Sequence, residues 1–271
     1  MINKLGNIAS IIGFILSVLV YFKEDDNSII IGGIALLFVF LFIATQIQLN
    51  YTKHYLSAMN AIQDIHYDVI KNQDYYKKYN LDKSVAELTL VCSQISDMFT
   101  KLRRSQISVC IKYTNIEKDV YYVKTLCRDH KSHIERNSLY DNSKLDNINE
   151  NTDFKVIFEK LRNNYDWKRL YYCENRLPWT FQYNNTHLVI DESFNGLFAF
   201  YHRYKKWPLP YKSTIIAPIL SDDNKTIYGY LCVDSPKNNG FNKERDIKIM
   251  QQIALFLSPI VRTVFEQHLI K

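Results

Sequence analysis

Residues 211–254 read YKSTIIAPILSDDNKTIYGYLCVDSPKNNGFNKERDIKIMQQIA. The run STIIAPIL (213–220) is apolar and rich in β-branched residues, and IYGYLCVDS (227–235) repeats that character. The polar, turn-forming SDDNKT between them predicts an antiparallel hairpin. Asn242 then stands where a helix N-cap is wanted. Ile247, Met250, Ile253, Ala254, Leu257, Val261 and Val264 follow at steps of three and four, the buried stripe of a last helix that Pro259 is expected to kink.

Working upstream, QISVCIKYTN (106–115) and DVYYVKTLCRD (119–129) predict a second hairpin, and TDFKVIFEKLRNN (152–164) predicts a helix. Val85, Leu88, Cys92, Ile95, Phe99 and Leu102 mark another helix, with Ser84 as its expected N-cap. Helix, strands, helix, strands, helix describes an α+β domain with an antiparallel sheet.

Before Tyr51 the character changes. LGNIASIIGFILSVLVYF (5–22) and IIIGGIALLFVFLFIA (29–44) carry no charge, and only KEDDNS separates them. They predict a membrane helical hairpin with spans at 5–22 and 29–49. The connecting loop is acidic while Lys4 and Lys53 flank the hairpin, so both termini are expected in the cytoplasm and the chain in the cell membrane as a two-span protein. The organisation expected is a hairpin at 1–50, a connecting helix at 51–83 and a cytosolic domain at 84–271. In the connecting helix Tyr55, Met59, Ile62, His66, Val69, Gln73 and Tyr76 form one seam. That seam suits either a parallel dimer or a helix resting on its own domain. The net charge of +6, from 34 Lys and Arg against 28 Asp and Glu, is too weak to imply nucleic-acid binding, and none is expected. Five cysteines without framework spacing read as reduced thiols.

Ser213, Pro218, Gly229, Leu231, Asp234, Phe241, Asp246 and Ala254 give the closing stretch its resemblance to a GAF domain. In that family a Ser-led apolar strand ending in Pro precedes a Gly-containing strand and an acidic helix start. Phe241 and Asp246 are one residue further apart here than in the family pattern. The resemblance implies a small-molecule sensor with a pocket between the sheet and the segment before the Ser-led strand. That segment is FYHRYKKWPLPY (200–211). Its aromatics would wall the pocket and its cations would meet a phosphate or carboxylate, giving Arg203, Tyr204, Lys206, Trp207, Tyr211, Lys212 and Ser213 as candidate ligand residues. The other reading is a basic surface loop facing solvent or anionic lipid.

Specific chemistries find less support. Asp191-Glu192 lack the Asn-Lys and Phe partners of the cyclic-nucleotide-binding GAF subgroup, and Cys173 lacks the neighbouring His of bilin-binding relatives. Cys127, His130 and His133 in CRDHKSH have ligand-like spacing but read as a solvated loop, so no metal is expected. GAF-like sulfoxide reductases need thiols in one pocket, whereas Cys92, Cys110, Cys127, Cys173 and Cys232 are spread along five elements; no enzyme is expected and no cofactor is implied. The function expected is a membrane-anchored, homo-oligomeric sensor of a small anionic or nucleotide-type ligand that answers through its hairpin. Membrane effectors of bacterial antiviral defence offer the analogy. A membrane-tethered interaction or dimerisation module without a ligand is the alternative.

Overall fold

The computed structural model describes residues 28–76, 80–118, 120–132, 145–188, 201 and 203–269, together with positions 13 and 17. The chain forms two compact units, Met1–Ser57 and Ala58–Lys271.

The expected first span lies outside the described residues except for Gly13 and Ser17. The second, 29–49, falls in helix α1, Ser28–Tyr76. Along α1 the side chains of Leu37, Phe38, Phe40, Leu41, Phe42, Ile43, Ile47 and Leu49 are all exposed. Consecutive exposed positions cover every side of a helix, so this stretch has no polar face. Among the described residues one helix, Lys243–Gln267, is long and apolar enough to cross a membrane, and it is more than half buried as a core element of the second unit.

In the second unit α1 buries Ala58, Ile62, Ile65 and Val69. Tyr55 and Met59 of the expected seam are exposed, so from Ala58 on the helix rests on its own domain. Helix α2, Leu81–Arg103, starts earlier than expected: Asn80 is the N-cap, its side chain accepting the Lys83 N–H at 3.1 Å, and Ser84 is buried inside the helix. Strands β1 (Ser108–Glu117) and β2 (Val120–Arg128) form the first hairpin. A two-residue strand β3 (Asp146–Asn147), helix α3 (Thr152–Arg162) and a three-residue strand β4 (Tyr172–Glu174) follow. Strands β5 (Ser213–Leu220) and β6 (Ile227–Ser235) are the second hairpin, and α4 (Lys243–Val264) closes the domain through Pro259. The Asn242 side chain caps α4 by accepting the Arg245 N–H at 3.0 Å.

The sheet is antiparallel throughout, in the order β3-β2-β1-β6-β5-β4. Strand alternation sends Val109, Ile111, Ile215, Ala217, Leu231 and Val233 to one face, where they pack with Leu88, Phe99, Met250 and Leu257 of α2 and α4. Cys110, Val123, Ile216, Tyr230 and Cys232 point the other way and meet Phe154 and Ile157 of α3. A bulge opposite Ile111/Lys112 shifts the register of β2. It turns Cys127 toward the helices while Arg128 joins the α3 side.

Gly229 sits where β6 crowds β1. A Cβ there would lie 2.3 Å from the Lys112 carbonyl oxygen, a backbone atom that cannot swing aside. Gly229→Ala is therefore expected to lower stability by about 1–3 kcal/mol, read as a shifted denaturation midpoint with an unchanged slope. An unshifted midpoint would show that the two strands have slack here.

Candidate functional site: a charged cavity under the loop before β5

The α3 side of the sheet carries a partly open cavity of about 60 Å³. Cys110 and Lys112 of β1, Arg128 of β2, Asp146 of β3 and Asp153 and Phe154 of α3 form part of its wall; Thr214, Ile216, Cys232 and Asp234 of β5 and β6 continue it, and Asn185, His187, Leu209 and Tyr211 come from the loop. They come from widely separated segments of the chain.

Lys112 Nζ donates to Asp146 Oδ2 at 2.9 Å, and His187 Nε2 lies 3.2 Å from Asp146 Oδ1. The Lys112 ammonium also stands over the Phe154 ring, 5.7 Å from its centroid. Burial works against the Lys112 charge, but Asp146 with Cys110 and Cys232 outweighs it and the lysine is held above its ordinary value. Burial likewise pushes the Asp146 carboxyl up, while His187 and Lys112 together pull it well below the usual carboxylate range. Across the cavity Thr214 Oγ1 donates to Asp234 Oδ1 at 2.7 Å. Asp153 Oδ2 accepts the Tyr183 hydroxyl at 3.1 Å, and its Oδ1 accepts the Phe154 N–H at 2.9 Å.

Those two bonds do not compensate the burial of Asp153, whose carboxyl is pushed up to about 6. A carboxyl that holds its proton more tightly when folded stabilises the fold most in acid, and that gain is lost as pH rises through 6. At about 1.4 kcal/mol per pH unit, Asp153 is expected to add stability on the order of 2–3 kcal/mol between pH 6 and 4. Asp153→Asn should flatten the stability profile over this window. A variant profile parallel to that of the unmodified chain would remove Asp153 as its source.

Of the seven candidate residues in 203–213, Tyr211 lines the cavity. Arg203 Nη2 donates to the carbonyls of Thr180 (3.1 Å) and Tyr183 (3.3 Å), and its guanidinium lies over Phe181 and Trp207. Lys212 Nζ stands 4.7 Å from the centre of the Tyr204 ring, which in turn packs against Trp179. Trp207 Nε1 donates to the Tyr211 carbonyl at 2.6 Å, Lys206 is exposed, and buried Ser213 donates to the Lys237 carbonyl at 2.8 Å. Arg203 and Tyr204 thus fasten the 203–212 segment to residues 179–183, while Trp207 and Lys212 pack within it. The cavity's own cations, Lys112 and Arg128, come from strands. Their signal in the sequence was the alternation of Cys110, Lys112 and Thr114 against Val109 and Ile111, which also fits a wet sheet face.

The remaining candidates are placed as follows. Cys127 is buried, His130 is exposed, and His133 and Asp191-Glu192 lie outside the described residues. Among the described residues no three His, Cys, Asp or Glu side chains gather as metal ligands do. Cys173 is half-buried on β4, and burial pushes its thiol up to about 12.

No protein-family model matches the chain, and no curated protein does. Solved structures do. A GAF domain is 13% identical, covering 73% of this chain and 87% of its own, with a TM-score of 0.44. The GAF domain of a phosphoenolpyruvate-protein phosphotransferase from Acinetobacter is 10% identical, covering 79% and 97%, at 0.46. A free methionine-R-sulfoxide reductase from Neisseria meningitidis, solved with its substrate, is 10% identical, covering 79% and 93%, at 0.45. The antiparallel six-stranded sheet with helices on its faces is the α+β arrangement expected from the sequence.

The expectation that the chain is no enzyme is corrected. Structures similar to it include a reductase, and the reason for the expectation, scattered thiols, fails in this fold. Cys110 and Cys232 face each other across β1 and β6, and Cys92 Sγ lies 3.7 Å from Cys127 Sγ. Enzymatic activity is an open property of this chain.

Proposed function

We propose that this protein is a membrane-anchored, GAF-like receptor for a small polar molecule bearing a carboxylate or phosphate, held in the cavity between the sheet and the 203–212 loop. The observation that carries the reading is the gathering of Lys112, Arg128, Asp146, Asp153 and Asp234 around one internal space. Burying that many charges costs stability, and such clusters belong to binding and catalytic sites far more than to cores. A volume of about 60 Å³ admits a few heavy atoms, well short of the roughly 300 Å³ at the low end of small-molecule sites. A nucleotide would enter only with movement of the loop, which Arg203 ties to the carbonyls of Thr180 and Tyr183.

Calorimetric titration of the full chain with a panel of small carboxylates, inorganic phosphate and nucleotides tests this. Binding should weaken by about 1.5–3 kcal/mol in Arg128→Ala and persist when exposed Lys206 is replaced. No binding across the panel, or equal affinity in Arg128→Ala, would remove the ligand reading and favour an interaction module instead.

The anchor is supported by the uncharged runs 5–22 and 29–44 and by the exposed apolar side chains of α1 from Leu37 to Leu49, which water does not solvate favourably. Reporter fusions at Lys271 and within 23–28 should report opposite sides of the membrane; the same side for both would end the hairpin.

A further inference from the structure

Cys110 has a thiol on one side and a guanidinium on the other. In the sheet register it stands directly opposite Cys232 on β6 and directly opposite Arg128 on β2. Lys112 follows two residues along the same strand, and all four side chains line the cavity. Residues directly opposed on antiparallel strands have Cα atoms about 4.5–5.5 Å apart. That falls inside the ~4.4–6.8 Å spanned by disulfides, so a bond between these sulfurs asks for no large backbone shift.

The two thiols are unequal. The hydrogen bond from Cys232 lowers the Cys110 thiol; burial opposes it, Arg128 and Lys112 add to it, and the net position is about 6. Cys232 is pushed well up, chiefly by burial. The asymmetry marks Cys110 as the more acidic and more nucleophilic sulfur of the pair. The other close pair, Cys92 and Cys127, lies on the opposite face of the sheet among apolar side chains, and the bond to Cys127 followed by burial raises Cys92 far above the ordinary value.

We propose that Cys110 and Cys232 form a dithiol–disulfide centre on the cavity wall, oxidised by a small hydroperoxide. This goes beyond the ligand reading and stands without it. The Cys110 thiolate attacks the terminal peroxide oxygen, the O–O bond breaks, and the departing hydroxide takes a proton from solvent as water. Cys110 becomes a sulfenic acid. The Cys232 sulfur then attacks the Cys110 sulfur; the S–S bond forms, the S–O bond breaks, and the hydroxide leaves with the Cys232 proton as a second water. The thiolate and the thiol lose two electrons and one proton, solvent supplies the other proton, and hydrogen peroxide becomes two waters. The small cavity selects hydrogen peroxide over bulky peroxides.

The test is stepwise oxidation of the full chain with hydrogen peroxide, followed by alkylation and peptide mapping without reductant. The expected result is a Cys110–Cys232 linked peptide that forms before any other and disappears with dithiothreitol. In Cys232→Ser, dimedone added as the oxidised chain is unfolded should label Cys110. In Cys110→Ser, neither the link nor a label at Cys232 should form. The order of oxidation in the unmodified chain needs no variant, so the outcome does not depend on either substitution folding. Formation of a Cys92–Cys127 link first, or a Cys110 still fully alkylated after the other thiols are lost, overturns the proposal.

Discussion

Asp246→Ala is expected to lower the stability of the domain by about 3–5 kcal/mol. Asp246 is fully buried at the start of α4 and pairs with Arg103 from the last turn of α2, 143 residues away in sequence. Its second oxygen accepts the Asn242 N–H at 2.8 Å. The substitution therefore strands a mostly buried guanidinium and frees an N–H at a helix start in one step. Replacing both partners with apolar residues of similar size should recover much of the loss, because the cost lies in leaving one charge unpaired. Chemical denaturation of the single and double variants decides it. A single-variant loss below about 1 kcal/mol would mean that the pair is solvated and of surface character.

Asp146→Ala should cost a similar amount, about 3–5 kcal/mol, and abolish any binding in the cavity as well. Asp146 is the shared partner of Lys112 and His187, and β3, which carries it, is two residues long. Without the carboxylate, Lys112 is a buried cation that has lost its hydrogen-bonded counter-charge. The pH signature is opposite to that of Asp153. A carboxyl held low in the folded state stabilises the fold above its unfolded value near 4, and that contribution disappears as pH falls through the lower folded value. The unmodified chain should thus gain stability from pH 6 toward 4 through Asp153 and lose it below 4 through Asp146. Asp146→Asn should abolish the acid loss while retaining the gain. Ligand affinity that survives Asp146→Ala in a folded protein would place the binding site elsewhere.

Hydrogen-bonding and packing rules that act over a few residues made much of the framework legible. The 213–235 hairpin, the Asn242 cap and the stripe from Ile247 to Val264 depend on spacings of two, three or four residues and on turn chemistry, and all three stand in the fold. The uncharged runs before Tyr51 are likewise a property of the sequence alone. Where two local solutions competed, sequence could not choose. Asn80 and Ser84 both suit an N-cap; the chain uses Asn80, and Ser84 lies buried inside α2. The seam from Tyr55 to Tyr76 offered a dimer or a domain contact; its Ile62 and Val69, joined by Ala58 and Ile65 from outside the seam, pack on the domain.

The cavity was decided by tertiary structure. Lys112, Asp146 and His187 meet from three separate segments, and β3 and β4 are too short to leave a periodic signal. The bulge that brings Arg128 to the α3 side depends on pairing with β1, as does the placement of Cys110 between Arg128 and Cys232. Alternation along a strand says which residues share a face. It says neither which strand lies alongside nor in what register, because those are set by burial summed over the whole sheet.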